Sequence, residues 1–494
     1  MKNCLRRNVL LLAISILIIF VFTSPFLLVF AQSSQYVLGT DFYAPADVPI
    51  PQKGVTFIDP NFHTTLVRIT DKTDGYSGAG IQNEYARTDP ENSDGTYVIL
   101  RGNDGEWYLY DTTTFQMKKH FTSLIDSNEP EPHWDASNPN VFYYLYETEL
   151  RTYNVDTDVS ATVHDFKTEF PSATYVTTRV EGDASLNQRF WSFMILNSEY
   201  NLISAIVFDK ESNSIVGQKT VFPDELDWIS MSMSGSHCVV GYDTHFAQIF
   251  SRDFSSVTDL PSGVNGHMDL ALTSDGKDVV VYQNTQNDWI AMADLDTGTE
   301  TPLVFIPFEV NSDIGLHFSG NCAEKPGWVL VSTYGAKSPP PNRNHSWMDT
   351  QLFMVELKQD PAVWRIAHTQ SYTEEEYTGE YNYFAEAFAT INKAGSRIYF
   401  GSNWGDYTVD FEGNAYTDTY QVVLPTDWAT FVPVLVAHAP TSSPSVTPTP
   451  TVSPPGSQTP EPGPREEQII AFIAIGVAIA LVVVGAIVFM LKKK

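Results

Sequence analysis

Cysteine is scarce in this chain, and the cysteines present do not define a disulfide framework. The 494 residues include 3 cysteines. Cys4 lies in the N-terminal apolar segment, which leaves Cys238 and Cys322 either to pair outside the cell or to remain as two buried thiols. One bridge could not staple a chain of this length, so a large hydrophobic core must stabilise the fold.

Basic residues are also few. The chain has 29 lysines and arginines against 59 acidic residues, a formal net charge of −30. Such a surface repels the phosphate backbone, which argues against a nucleic-acid partner. Cations and neutral or weakly charged glycans are compatible with this charge, although an acidic surface is most simply explained by solubility.

Several motifs and patterns are absent. The sequence has no G-x-S-x-G, HExxH, phosphate-loop or CxxC motif, which excludes the hydrolases, nucleotide-binding proteins and redox proteins that those motifs identify. No stretch between the two termini has a sustained helical period. Tyr, Phe, Trp, Val and Thr are abundant instead, and these residues favour strands. The pattern predicts an all-β protein.

Both ends of the chain carry long apolar segments. Basic residues near Lys2 precede an apolar run that ends before Ala31, so residues 1–31 are predicted to be a signal peptide, or alternatively an uncleaved anchor. Residues 468–491 form an uncharged apolar stretch that is long enough to be a transmembrane helix. The lysines at 492–494 predict a cytoplasmic C-terminus and an extracellular domain before the helix.

A stalk is predicted between the folded domain and the membrane. Residues 439–467 alternate Pro with Ser and Thr and contain almost no apolar side chains, so this segment cannot form a packed core. The folded domain is then residues 32–438. This order of signal, domain, Thr/Pro stalk, single span and basic tail resembles archaeal cell-surface proteins. It implies a single-pass protein of the cell membrane.

A recurring unit fills the folded domain. An extended segment, a turn with Gly, Asn or Asp, and two strongly apolar strands recur seven times, about 40 to 70 residues apart. The copies begin at Ser93, Ser137, Leu186, Ser234, Ser274, Lys325 and Lys393. This spacing predicts a seven-bladed β-propeller, with a four-stranded blade per copy. The early segment "TTLVRITD", residues 64–71, is predicted to pair with the last blade and close the ring.

The turns carry a resemblance to known propellers. The stretches "SDG", "SNPN", "KPG" and "KAG" between paired apolar strands resemble the repeat of TolB-type, PD40-like (WD40-like) propellers, over residues 64 to about 430. Copies three, four and seven depart from its Asp-Gly. Among enzymes, the predicted architecture resembles the oligogalacturonate lyases, which are seven-bladed propellers that use histidines and a metal. No stretch matches their signature closely enough to transfer a residue.

The starts of the inner strands supply the candidate site, because these positions surround the mouth of a propeller channel. His267, His317 and Glu386 occupy equivalent positions in consecutive blades, and together they could hold a divalent metal ion, with His133 as a fourth ligand from across the ring. The alternative is that these polar residues satisfy backbone groups around a water-filled channel.

Long loops in the last two blades supply candidate ligand-binding residues. They are predicted to open on the same face as His267 and are rich in aromatic side chains suited to stacking on sugars. The candidates are Trp347, Trp404, Arg343, His345 and Tyr383. The alternative is that these aromatics pack the loops against one another.

Three functions fit this sequence. The first is a membrane-anchored binding module for a glycan, a peptide or a neighbouring surface protein. The second is a metal-assisted lyase of uronate polymers, in which His317, His267 and Arg87 would be catalytic. The third is a structural component of the cell envelope. The sequence names no certain cofactor beyond the possible divalent ion.

Overall fold

The computed structural model describes residues 36–75, 80–121, 124, 129–260, 267–310, 314–335, 345–373, 381–406, 408 and 416–431. The predicted signal peptide, stalk, membrane span and basic tail lie outside these residues, as does Arg343. Within the described part of the chain, no helix is both long and apolar enough to cross a membrane.

The described residues begin with three short strands. Two of these strands, the first and the third, pair with strands of blades six and seven, which come much later in the sequence. The three strands are β1 (Val37–Leu38), β2 (Thr56–Ile58) and β3 (Thr65–Arg68). Blades one to three then follow, and each is a run of four antiparallel strands. Blade one comprises β4 (Ile81–Gln82), β5 (Tyr97–Gly102), β6 (Trp107–Asp111) and β7 (Met117–His120). Blade two comprises β8 (His133–Trp134), β9 (Val141–Tyr146), β10 (Glu149–Asn154) and β11 (Val159–Asp165). Blade three comprises β12 (Tyr175–Thr177), β13 (Phe190–Leu196), β14 (Leu202–Asp209) and β15 (Ser214–Lys219).

Blades four to six repeat the arrangement. Blade four comprises β16 (Leu226–Met231), β17 (His237–Tyr242), β18 (Gln248–Ser251) and β19 (Val257–Asp259). Blade five comprises β20 (Met268–Leu272), β21 (Asp278–Asn284), β22 (Trp289–Asp294) and β23 (Glu300–Phe305). Blade six comprises β24 (Gly315–Ser319), β25 (Trp328–Tyr334), β26 (Gln351–Glu356) and β27 (Val363–His368), and β1 adds a fifth strand at its outer edge.

Blade seven is assembled from both ends of the folded domain. A 3₁₀ helix (Tyr383–Ala385) precedes β28 (Thr390–Ile391), β29 (Arg397–Ser402) and β30 (Asp418–Val423), and helix α1 (Trp428–Phe431) follows. The fourth strand is β3, which pairs antiparallel with β30 from Thr65 opposite Val423 to Arg68 opposite Tyr420. The predicted pairing of the early segment with the last blade is therefore confirmed.

The turn after each inner strand explains why the repeat favours glycine. Gly95 in blade one and Gly276 in blade five have φ of 71° and 80°, a region that costs glycine nothing. In blade three, where the repeat departs from Asp-Gly, Gln188 takes this conformation with φ of 52°. The side chains of the second strand are buried, as all seven residues of β13 show, whereas outer strands such as β19 are exposed. This gradient gives the second strands their continuous apolar runs.

The hydrophobic core consists of layers between consecutive blades. Among the described residues there are seven buried clusters, and each joins one blade to the next. The last cluster brings Val67 and Tyr399 of blade seven against Val98 and Tyr110 of blade one. The layers therefore form a closed cycle, which establishes a propeller-like all-β fold. Cys238 and Cys322 lie in two different layers as buried free thiols.

An N-terminal strap, residues 36–55, lies over blades six and seven. The sequence did not predict it. Its carbonyl oxygens accept hydrogen bonds from five side chains of those blades. Three of these bonds are from Arg365 Nη1 to Asp41 (2.8 Å), from His368 Nε2 to Tyr43 (3.0 Å) and from Trp404 Nε1 to Val48 (2.8 Å). The other two donors are Gln370 and Arg68. Beyond β1, which pairs with β27, side chains are thus the main partners of this irregular backbone.

Candidate functional site

Three of the predicted site residues lie together at the start of the inner strands. His317 is on β24, Glu386 follows the 3₁₀ helix, and His267 immediately precedes β20. The Nε2 atom of His317 is 2.8 Å from Oε2 of Glu386. The rings of His267 and His317 meet edge to face, with centroids 5.1 Å apart. Their equivalent positions in the repeat therefore correctly predicted that His267, His317 and Glu386 lie close together.

Two tyrosines complete this group, and the sequence did not single them out as partners of Glu386. Tyr381 donates its hydroxyl hydrogen bond to Oε1 of Glu386, and Tyr334 at the end of β25 also bonds this carboxyl group. The ring of Tyr334 stacks on His317 with centroids 5.0 Å apart. We call His267, His317, Glu386, Tyr334 and Tyr381 the His–Glu cluster.

Burial sets the protonation of the His–Glu cluster. It raises the pKa of Glu386 from 4.5 to about 7, although the hydrogen bond from Tyr381 opposes the shift. Burial lowers the pKa of His317 to about 3, and the positive charge of Arg87 lowers it further. The pKa of His267 falls to about 3 for the same reasons, with His317 contributing. Near neutral pH, two uncharged imidazoles face a carboxyl group that is close to its midpoint.

Arg87 lies in the channel but is committed to other residues. Its Nη1 atom is 2.8 Å from Oε2 of Glu181, and its guanidinium lies 4.3 Å from the centroid of the Trp228 ring. The pKa of Glu181 is raised to about 7 because burial outweighs the attraction of Arg87. A ligand carboxylate would compete with Glu181 for this arginine.

His133 lies apart from the other predicted metal ligands. Its Nδ1 atom is 2.9 Å from Oδ1 of Asp183, and it lines a cavity at the turn end of the inner strands. Burial lowers the pKa of His133, but the hydrogen bond and charge of Asp183 outweigh burial and raise it. His133 is therefore an ion-pair partner in blade two, separate from the His–Glu cluster.

The described residues do not fit a metal ion as they stand. The Nε2 atom of His317 and Oε2 of Glu386, which could each bind a metal, are hydrogen-bonded to each other instead. No group of three or more His, Cys, Asp and Glu residues in the described chain is arranged to hold an ion. The Nδ1 atom of His267 is buried and has no hydrogen-bond partner among the described residues. A metal at this site stays a prediction.

The two predicted ligand-binding tryptophans have partners within the fold. Trp404 stacks on Tyr420 with centroids 4.7 Å apart and donates to the strap at Val48. Trp347 packs against Phe353 at 5.1 Å and under the guanidinium of Arg365 at 5.0 Å. Both rings are partly buried in these contacts, and ligand binding by them stays a prediction.

The other loop residues differ in exposure. His345 stacks on Phe42 with centroids 5.9 Å apart and contacts Oδ2 of Asp349 at 3.0 Å. Tyr383 is 51% exposed and Tyr381 is 52% exposed. Among the described residues of the loop at 368–383, these two tyrosines are the exposed aromatic side chains, and Tyr381 belongs to the His–Glu cluster itself.

Comparison with known proteins supports the fold. No family model matches the chain, and no curated protein matches it in sequence. An oligogalacturonate lyase solved in complex with manganese is 13% identical with a TM-score of 0.51, covering 78% of this chain and 96% of the lyase. The oligogalacturonate lyase from Vibrio parahaemolyticus is 14% identical with a TM-score of 0.50, covering 79% and 98%. At these identities the likeness establishes a shared propeller-like all-β fold, which extends over nearly the whole length of both enzymes.

Proposed function

We propose that this chain is a membrane-anchored, extracellular seven-bladed β-propeller that binds a neutral glycan beside the His–Glu cluster. The observation that carries the proposal is a pair of half-exposed tyrosines held in fixed orientations. Tyr381 is held by its hydrogen bond to Glu386. Tyr383 lies in the 3₁₀ helix, which Asn382 caps by accepting from the Phe384 amide at 3.2 Å. A pre-oriented aromatic surface loses little entropy when it binds a ligand.

The charge of the site favours a neutral ligand. The carboxyl groups of Glu386 and Glu181 both lie near enough to Tyr383 to raise its pKa, and Arg87 is already paired with Glu181. Tyrosine rings present apolar faces to the C–H groups of a sugar, while carboxyl and phenol groups exchange hydrogen bonds with its hydroxyls. The predicted signal peptide, stalk and membrane span support a role at the cell surface. A peptide or a neighbouring surface protein is the other ligand class for this face.

Binding to a glycan array tests the proposal. The full-length protein, purified in detergent, is expected to retain neutral glycans, and Tyr381→Ala or Tyr383→Ala should weaken retention by about tenfold each, the loss expected for one aromatic contact. Tyr200→Ala is the matched control, because Tyr200 is also 52% exposed but lies in blade three. Unchanged binding in both site variants would remove the assignment of this face, and retention of peptides alone would change the ligand class.

A uronate lyase is the second candidate. A hydrogen-bonded chain runs from half-exposed Tyr381 through Glu386 to His317, and such a chain can move a proton. Elimination from a uronate needs a base for the proton beside the carboxylate and a positive charge near that carboxylate. Tyr381 would take the proton while its own passes to Glu386, the C–H electron pair would form the new double bond, and the departing glycosidic oxygen would take its proton from water. Arg87 would supply the positive charge only by giving up Glu181. In the same preparations, an ultraviolet-absorbing product from polygalacturonate that disappears in Glu386→Gln would favour the lyase.

A further inference from the structure

A second concave site lies at the other end of the inner strands. A cavity of about 360 Å³ is lined by the turns that follow these strands in blades one, three and seven, and by strand residues from several other blades. Its volume is within the range of small-molecule pockets, roughly 300 to 1,000 Å³. None of the residues of the His–Glu cluster lines it.

The cavity wall is polar and carries an excess of carboxyl groups. Seven of its lining residues are acidic: Asp89, Glu91, Asp94, Asp135, Asp183, Asp269 and Glu324. Its permanently charged basic residues are Lys393 and Arg397, and Arg397 is tied to Glu91 by a contact of 2.8 Å. Ser230 and Asn321 add hydroxyl and amide groups. The charge balance points to a positively charged occupant, and the amide and hydroxyl groups to one that also forms neutral hydrogen bonds.

The acidic groups are held in place from different blades. Oδ2 of Asp269 accepts from the Gly320 amide at 2.7 Å, and Oδ2 of Asp89 accepts from the Lys393 amide at 2.8 Å. Asp183 is fixed by His133. Burial raises the pKa of Asp89 and of Asp269 to about 8, so a neighbouring positive charge is what would keep both ionised at neutral pH.

We propose that this cavity binds a small organic cation, a primary amine or diamine, between the carboxyl groups of Asp89, Asp183 and Asp269. A bare metal ion fits less well. The cavity is much larger than an ion, and no group of three potential ligands converges among the described residues. An ammonium group needs only separate acceptors, and each carboxylate oxygen can accept more than one hydrogen bond.

Titration calorimetry on the full-length protein in detergent tests this with putrescine as the probe. We expect saturable binding of putrescine and none of 1,4-butanediol, which has the same carbon chain without charge. Asp183→Asn should weaken binding by about tenfold or more, since one charge-assisted hydrogen bond becomes neutral. Asp269→Asn should act in the same direction. Asp296→Asn is the matched control, because its side chain is 78% exposed on blade five.

The outcomes separate clearly. Equal binding of butanediol, an absence of putrescine binding, or unchanged affinity in Asp183→Asn would each overturn the proposal. Asp183 is suited to this test because its side chain is 38% exposed and its bond to His133 can be kept by asparagine, so the variant should fold. A melting curve matching that of the unaltered protein verifies this. The result is independent of the glycan proposal, which concerns the opposite end of the channel.

Discussion

Glu386 is the residue on which the candidate site depends. Its side chain is 5% exposed, yet it contacts one imidazole and two phenols, one of which reaches the surface. A buried carboxyl group survives only if its polar atoms have partners, and both oxygens of Glu386 do. The same burial makes the charged form costly, so the residue links the stability of blade seven to pH.

The pH dependence of stability tests this link. Because the folded-state pKa of Glu386 is about 7 against a usual 4.5, the folded protein holds the proton more tightly between these values. Its contribution to the free energy of unfolding is thus present at low pH and lost as the pH rises to about 7, on the order of 3 kcal/mol. Glu386→Gln should lose less stability than the unaltered protein between pH 5 and pH 8.

Urea unfolding at several pH values measures the difference. The unaltered protein carries other carboxyl groups with raised pKa values, such as Glu84 and Asp89 at about 8, so its curve falls for several reasons. Only the difference in free energy of unfolding between the unaltered protein and Glu386→Gln, followed against pH, reports on Glu386. Parallel curves from pH 5 to pH 8 would show that the carboxyl group titrates normally.

The sequence located part of the site. Repeat equivalence identified His267, His317 and Glu386, because inner-strand starts are fixed by the blade geometry. It could not identify Tyr334, whose approach to Glu386 depends on the twist between blades six and seven, and it grouped His133 with residues at the other end of the channel. The repeat therefore predicts which blade carries a residue more reliably than it predicts at which end of the inner strand the residue lies.

At the scale of elements, the contact between blades one and seven has a polar latch. The carboxylate of Glu91, in the first blade, accepts from Asn392 Nδ2 and Arg397 Nη1, each at 2.8 Å, and from the hydroxyl of Tyr399. All three donors belong to blade seven. Because the Glu91 side chain is 5% exposed, the three bonds form in a nearly dry interface. The latch therefore joins the first and last blades in addition to their hydrophobic layer.

Removing the latch should cost much more stability than removing a surface pair. Glu91→Ala leaves buried donors unpaired and is expected to lower the free energy of unfolding by about 3 to 5 kcal/mol. Glu149→Ala, which removes the partner of Arg151 within blade two, should cost about 1 kcal/mol or less. Chemical denaturation of both variants provides the measurement. Equal losses would mean that the latch adds nothing beyond an ordinary ion pair.

The strands were more predictable than the irregular segments. Alternating apolar runs and Asp-Gly turns predicted the strands from β5 onward, since each blade repeats one pattern. The N-terminal strap has no such pattern: its backbone is satisfied by Arg365, His368 and Trp404, side chains that lie more than 300 residues away. The sequence predicted Trp404 as a ligand-binding residue because it lies in a long loop rich in aromatic side chains. In the structure its indole N–H donates to the strap at Val48.

The whole molecule depends on a closure between its two ends. β3 supplies the fourth strand of blade seven, and Arg68 of this strand binds Asp418 of β30 with Nη2 2.6 Å from Oδ2. Every cluster of the core joins neighbouring blades, so opening one contact exposes two apolar faces. Stability should therefore be cooperative around the ring, in contrast to an open repeat array.

A proline in the closing strand tests this cooperativity. Val67→Pro removes an amide from a strand paired on both sides, and we expect a loss of about 3 kcal/mol or more together with association of the exposed blade edges. Val216→Pro is the matched control, because Val216 lies at an irregularity of the outer strand β15 and is 36% exposed. Size-exclusion chromatography and denaturant midpoints give the readout. Similar losses in the two variants would contradict closure through β3.

The order of synthesis gives the β3–β30 pairing a consequence for folding as the chain is made. Arg68 of β3 and Asp418 of β30 are 350 residues apart. β3 is therefore synthesised long before β30, the strand with which it pairs in blade seven. Until the last blade has left the ribosome, β3 is paired on one side by β2 but lacks its partner β30, and one face of the unfinished ring stays open to water. A cell that makes this domain must therefore keep a nearly complete chain from aggregating before the ring closes, and a chain cut short before Val423 would stay open.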